Sequence, residues 1–176
     1  CCYFQIHQPP RLRPFNVFEP GYHYFDEERN RQIMQRVAHK CYLPATDLLL
    51  RLIEQHKGAV RLSFSLTGSV VDQWRRWEPA LIDRFRALVD TGCVELLSET
   101  YHHSLASQYD HNEFKRQVDM HRQLMEELFD TTPVVFRNTE LIYDNALART
   151  ISQMGGYKAI LVEGVDRILA GRSPNQ

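Results

Sequence analysis

The sequence predicts an α/β fold built on a parallel sheet. Two observations predict it. Short apolar, strand-like runs alternate along the chain with longer segments of helical periodicity. Polar and ionisable residues also collect just after those apolar runs, where parallel α/β folds place their ligands. The 176 residues are enough for one domain with a sizeable core.

The first run, CCYFQIH, alternates, with Cys2, Phe4 and Ile6 on one side and Tyr3, Gln5 and His7 on the other. Gln8-Pro9-Pro10 stops it, because proline cannot continue a ladder. Residues 11–29 read as a long loop rich in aromatics, with Pro14, Pro20 and Gly21. A helix is expected over 30–40 and a second over 44–57. Pro44 fits the first turn of the second, and Leu48, Leu49, Leu52, Ile53 and His56 form its stripe up to Gly58. VRLSFSL (60–66) is the second strand, with Val60, Leu62, Phe64 and Leu66 on one face. Ser69 is the expected cap of the next helix, and Pro79 should break or restart it before Leu81, Phe85 and Leu88.

CVELL (93–97) is the third strand. Asp110 and Glu113 form a capping-box pair before a helix at 111–129, whose stripe is Phe114, Val118, Met125 and Leu128 with His121 on the same side. PVVF (133–136) is the fourth strand. Asp144 caps a helix burying Leu147, Ile151 and Met154, and YKAILVE (157–163) is the fifth strand.

Apolar residues make up 43% and charged residues 24% of the chain, and the net charge is −1 with both signs interspersed. That balance offers no electrostatic case for nucleic acid or an anionic membrane as partner. No apolar run approaches the roughly 20 residues that span a bilayer, and no charged segment precedes an apolar one as in a signal peptide. Adjacent Cys1 and Cys2, with Cys41 and Cys93, fit neither a disulfide framework nor a zinc motif, so reduced thiols in a cytoplasmic protein are expected.

The strand ends carry the unusual residues: His7-Gln8; Thr67-Gly68-Ser69; Ser98-Glu99-Thr100-Tyr101-His102-His103; Arg137-Asn138-Thr139-Glu140; and Glu163-Gly164. Each has a plainer reading beside the functional one. His7 fits a hydrogen-bonded histidine at a strand end, and Glu99 a cap. One of His102 and His103 fits a surface residue, since neighbours on a strand point apart. Glu140 fits a loop salt bridge with Arg137. His121 reads as core, Trp74 and Trp77 as packing, and Arg75-Arg76 as a solvated face. Metal chemistry is poorly supplied, because no His sits three or four residues from another ligand on a helix and no HxH or HxD lies on the first strand. No G-x-S-x-G elbow and no glycine-rich phosphate loop occur. Carboxylates among His, Asn, Tyr and Arg suit carbohydrate, whose hydroxyls want polar partners and whose cleavage wants two carboxyl groups.

Three blocks, IHQPPRLRP (6–14), VELLSETYHHSL (94–105) and FRNTELIY (136–143), resemble the first three conserved regions of glycoside hydrolase family 57 in its α-amylase-like branch. The tail LVEGVDRILAGRSPNQ is similar to that branch too. The resemblance implies an incomplete barrel of seven parallel strands, (β/α)7, of which this chain supplies about the first five. It implies retaining cleavage of α-1,4-glucans, without cofactor or metal. It makes Glu140 the catalytic nucleophile and His7 and His103 substrate contacts, with Glu99 close to His103 and Gln8 beside His7. Arg137 and Asn138 are expected to orient Glu140 and keep it ionised. The family's general acid is an aspartate of a fourth block, which nothing in this chain matches. The expectation is therefore that residues 1–176 are one domain, the N-terminal part of a catalytic barrel, inactive alone and with open edges that make it marginal or prone to associate. Glucan transfer or branching, and carbohydrate binding without catalysis, are the alternatives. A metal-dependent deacetylase or mannosidase on a similar barrel is a further one, against which Gln5-Ile6-His7 speaks.

Overall fold

The computed structural model describes residues 2–14, 16–18, 21, 23–165 and 169–172. Cys1, Pro20 and much of the tail block fall outside these. Five strands alternate with six helices: β1 (Cys2–Ile6), α1 (Glu27–Val37), α2 (Leu43–Gln55), β2 (Leu62–Leu66), α3 (Gly68–Trp77), α4 (Ala80–Asp90), β3 (Val94–Leu97), α5 (His111–Phe129), β4 (Val135–Arg137), α6 (Asn145–Met154) and β5 (Ala159–Leu161). The strands pair in parallel in the order β1-β2-β3 and β4-β5. A parallel bridge between Ser98 and Phe136 joins the two sets, with Ser98 N donating to Val135 O at 2.9 Å and Arg137 N to Ser98 O at 2.8 Å. Every strand thus lies beside its sequence neighbour. No closed barrel forms among the described residues.

The register separates two faces. Phe4, Phe64 and Leu96 share one row and turn toward the helices. Gln5, Ser65 and Leu97 share the next row on the inner face. All of β2 is buried, so its two serines are inner-face residues and not solvent-facing ones. The sheet curls around that inner face. Arg137 Nη2 of β4 donates to Gln5 Oε1 of β1 at 2.8 Å. In a flat sheet strands three places apart stand about 14 Å from each other, with side chains perpendicular to the plane. Curling brings the two side chains together.

Two apolar clusters hold the helices on the outer face. The larger joins β1–β3 to α1–α4 around Trp74, stacked on Phe85 at 5.0 Å, with Phe64, Leu66 and Leu81. The smaller packs Phe136 and Ile160 under Phe114, Val118, Leu147 and Ile151. Helix α5 serves both, its first half in the smaller cluster and Leu124, Met125 and Phe129 in the larger. Trp74 is thus packing, as expected, and His121 is wholly buried in the same stripe.

Several local expectations change. The alternation of β1 does not become a buried face, because Phe4 stays 42% exposed at the free edge of the sheet, stacked on Phe64. The α2 stripe is rotated: Thr46 and Ile53 are buried while Leu48 and His56 are exposed. Helices α1 and α2 are continuous through a π-helical turn, Ala38–Tyr42. An α-helical Pro44 would collide with the carbonyl four residues back, and one wider turn relieves that. The loop at 11–29 is tied at its base, where Leu12 bridges Phe25 and Asn30, buried, bonds Arg11 through both backbone N–H and carbonyl. Asp26 caps α1 three residues earlier than expected. Thr67, not Ser69, caps α3 by accepting from Val70 N, because the Ser69 hydroxyl is engaged by His102. Asp110 caps α5, but Glu113 turns to Arg116 and Gln117, so only half of the capping box forms. Asp144 caps α6 as expected.

Candidate active site

The ends of β1, β2, β3 and β4 converge on one cluster of side chains. At its centre is His103, whose Nε2 lies 3.0 Å from Glu140 Oε1 and whose Nδ1 lies 3.5 Å from Glu99 Oε2. Both ring nitrogens face carboxylates, an arrangement that favours the protonated ring. Its pKa is raised accordingly, most by the bond to Glu99, with Glu140 adding and burial opposing. Glu99 has the larger effect although it stands farther off, because it is fully buried while the Glu140 side chain is 70% exposed and screened by water. Glu99 is held in turn by Ser65 Oγ, which donates to Oε1 at 2.5 Å.

His7 stacks on His103 with ring centroids 4.5 Å apart. Its Nδ1 lies 2.9 Å from Thr67 Oγ1. Thr67 Oγ1 also accepts from Val70 N, so the hydroxyl that anchors His7 is itself held in place. The bond fixes the ring through Nδ1, and Nε2 is its other polar atom. Burial first, and then the charge on His103, push its pKa below the ordinary histidine value and keep it neutral.

The backbone at this centre is unusual. His103, Glu140 and Leu141 all have positive φ, at 55°, 53° and 56°. Such conformations cost side-chain-bearing residues energy and gather at functional sites. The reason is visible locally. The chain turns sharply as β4 ends, and Asn138 fastens the turn by donating to Ile142 O at 3.0 Å and to Ser107 Oγ at 3.2 Å. The turn aims Glu140 out of the sheet into a groove of about 790 Å³ that it shares with Tyr143, Val162 and Glu163.

The structure brings His7, Glu99, His103 and Glu140 together and gives the other expected residues different partners. Arg137 is buried and bonded to Gln5, and Asn138 is buried and holds its own turn, so neither supports the Glu140 carboxylate as expected. His103 takes that part. Gln8 turns away from the centre, its Oε1 accepting from Arg11 Nη2 at 2.9 Å. Glu99 meets no solvent and faces His103. Gln5, Ser65, Thr67, Thr100 and Thr139 complete the site; the strand ends included the three threonines, but none of the five was assigned a role. For Ser65 and Thr67 the signal lay in LSFSLT (62–67), where serine and threonine alternate with apolar residues. Among the described residues, no group of three His, Cys, Asp or Glu side chains is placed to hold a metal ion.

Glycosyl hydrolase family 57 matches residues 1–176. The chain belongs to that family. A Methanocaldococcus jannaschii protein named "Putative alpha-amylase" is 41% identical to this family 57 chain over 177 residues, covering 98% of the chain and 37% of that protein. The crystal structure of 4-alpha-glucanotransferase from Thermococcus litoralis is similar over 99% of the chain, with a TM-score of 0.73 at 14% identity, and the chain covers 24% of it. A family 4 carbohydrate esterase from Streptomyces lividans is similar over 66% of the chain and 55% of its own, with a TM-score of 0.51 at 21% identity. The two structural likenesses speak to the fold alone. The family 57 chain thus spans well under half the length of the Methanocaldococcus jannaschii protein and of the glucanotransferase.

Proposed function

We propose that the complete protein is a retaining glycosidase of α-1,4-glucans, with Glu140 as its nucleophile. The observation that carries this reading is the His103–Glu140 pair. One carboxylate oxygen is held at 3.0 Å by the His103 ring, whose pKa is raised, and the side chain is otherwise open to the groove. A nucleophile needs that arrangement, fixed on one side and free on the other. Glu140 would form a bond to the anomeric carbon as the glycosidic oxygen leaves, taking a proton from the general acid. Water, deprotonated by the same acid group, would then displace Glu140. Retaining cleavage places the two carboxyl groups about 5–5.5 Å apart. The resemblance assigns the acid to an aspartate outside these 176 residues. The neutral His7 would meet sugar hydroxyls beside the cleavage point through its Nε2.

The architecture we infer for the complete domain is the incomplete (β/α)7 barrel, with these residues as its N-terminal part. The curl that joins Gln5 to Arg137 supports it, as does the sequential strand order. An α-glucan is the partner that follows from family membership and from this site.

The test uses the full-length protein and maltoheptaose. Glu140→Ala should abolish cleavage while the fold is kept, and azide should restore turnover as glycosyl azide. Undiminished turnover in the variant overturns the nucleophile. Product analysis separates hydrolysis from transfer, since transfer yields longer oligomers. Glucan binding without cleavage by the wild type would make it a binding protein.

A further inference from the structure

A second pocket, of about 440 Å³, lies behind His7, between the loop that follows β1, the start of α1 and the first turns of α3. Its size falls within the roughly 300–1,000 Å³ of small-molecule sites. His7 borders both places: its ring stacks on His103 on the site side, and it also lines this pocket. His7 therefore stands between the pocket and the Glu140 centre.

Its walls are of two kinds. Pro9, Phe25 and Trp77 supply flat apolar surface. Asp72, Gln73 and His102 supply polar atoms that are already oriented. Asp72 Oδ1 accepts from the Tyr101 hydroxyl at 2.8 Å, which leaves Oδ2. His102 Nδ1 meets Ser69 Oγ at 2.9 Å, which leaves Nε2. Gln73 is 5% exposed; its Nε2 donates to Gln8 O and Ser69 O, while its Oε1 has no hydrogen-bond partner. A buried acceptor without a donor is costly unless something supplies one.

We propose that this pocket is a second glucan subsite, holding a pyranose unit of the same chain whose reactive bond lies at Glu140. The proposal rests on the function proposed above. A pyranose presents apolar C–H faces to rings and prolines and hydroxyl edges to amides and carboxylates. The pocket offers both at once. An anionic ligand fits poorly, because the lining Arg76 is already paired with Glu27 and Asp72 adds negative charge. The Arg76 guanidinium also covers one face of Trp77, 5.1 Å from the ring centroid, which fixes that wall.

The experiment compares full-length wild type with Asp72→Asn and Trp77→Ala, using maltoheptaose. Asp72→Asn keeps the shape of the wall and the acceptor for Tyr101, so its effect is not one of folding. Both variants should raise KM about tenfold with kcat within twofold. In the Glu140→Gln background, calorimetric titration with maltoheptaose should show the same tenfold weakening. Unchanged KM and binding in Asp72→Asn, with the wild type active, overturn the subsite and leave the function intact. Weakened binding in the variants, with no cleavage by the wild type, keeps the subsite and overturns the glycosidase. No binding of maltoheptaose by the wild type overturns both.

Discussion

Thr100 and Thr139 fasten the turn that carries His103 to the turn that carries Glu140. Their hydroxyl oxygens lie 3.1 Å apart, and neither residue is more than 2% exposed. Thr100 Oγ1 also accepts from Ser104 N at 2.8 Å, so one hydroxyl ties both turns together. Thr139→Val removes the buried side-chain partner of Thr100, which costs about 1–3 kcal/mol. Urea denaturation should show that loss, and Thr139→Ser should recover most of it.

Glu140 stands in a left-handed backbone conformation, φ 53° and ψ 23°. Glycine adopts it without strain, and the mostly exposed side chain gives up little packing. Glu140→Gly should therefore melt at the same temperature as the parent or higher, by up to about 1 kcal/mol of stability. Glucan turnover should vanish in the same protein. A clear drop in melting temperature would show that the turn is not strained.

The bond to Glu99 raises the His103 pKa. Glu99→Gln should lower the His103 pKa, read from its imidazole resonances in an NMR titration. The sign for stability follows. The folded value is raised, so the contribution is full below the unfolded value of about 6.5 and is lost as pH climbs through the raised value. Stability measured upward from pH 6 should fall less steeply in the variant than in the parent.

His121 has the opposite sign. It is wholly buried, its Nε2 donates to Leu66 O at 2.7 Å, and its Nδ1 has no partner. Protonation would bury a charge and an unmatched N–H together. Burial accordingly holds its pKa below the ordinary value. Its contribution is present above about pH 6.5 and is lost as pH falls toward the depressed folded value. His121→Gln should flatten the acid limb of the stability profile below that pH.

Gly68 opens α3 directly under the Tyr101 ring. A Cβ there would stand 2.4 Å from ring carbons. Gly68→Ala should destabilise by about 1–3 kcal/mol through overpacking. Helix propensity alone predicts a gain of about 1 kcal/mol, so the sign of the measured change decides which effect wins.

The order of strands and helices was legible because apolar runs and helical stripes carry different periods. Caps were legible where an aspartate stood alone, as at Asp110 and Asp144. Ser69 was misread because its hydroxyl has a tertiary partner, His102, that local sequence cannot display. The same holds at the site. Strand ends pointed to His7, Glu99, His103 and Glu140, yet sequence position put Arg137 next to Glu140. Strand alternation and the sheet's curl send Arg137 inward to Gln5, 132 residues away along the chain. The π-helical turn at Ala38–Tyr42 had one visible cause, Pro44, which was read instead as an ordinary helix start.

The neighbour-by-neighbour strand order has a kinetic consequence. Each new strand docks on one already in place, so the ladder can grow in the order of the sequence. During synthesis at about 5–20 residues per second, β1 and β2 can pair before Glu140 leaves the ribosome. The turn that carries Glu140 is then laid down on a platform of His7, Thr67 and Glu99, and its left-handed geometry is imposed by structure that precedes it in time.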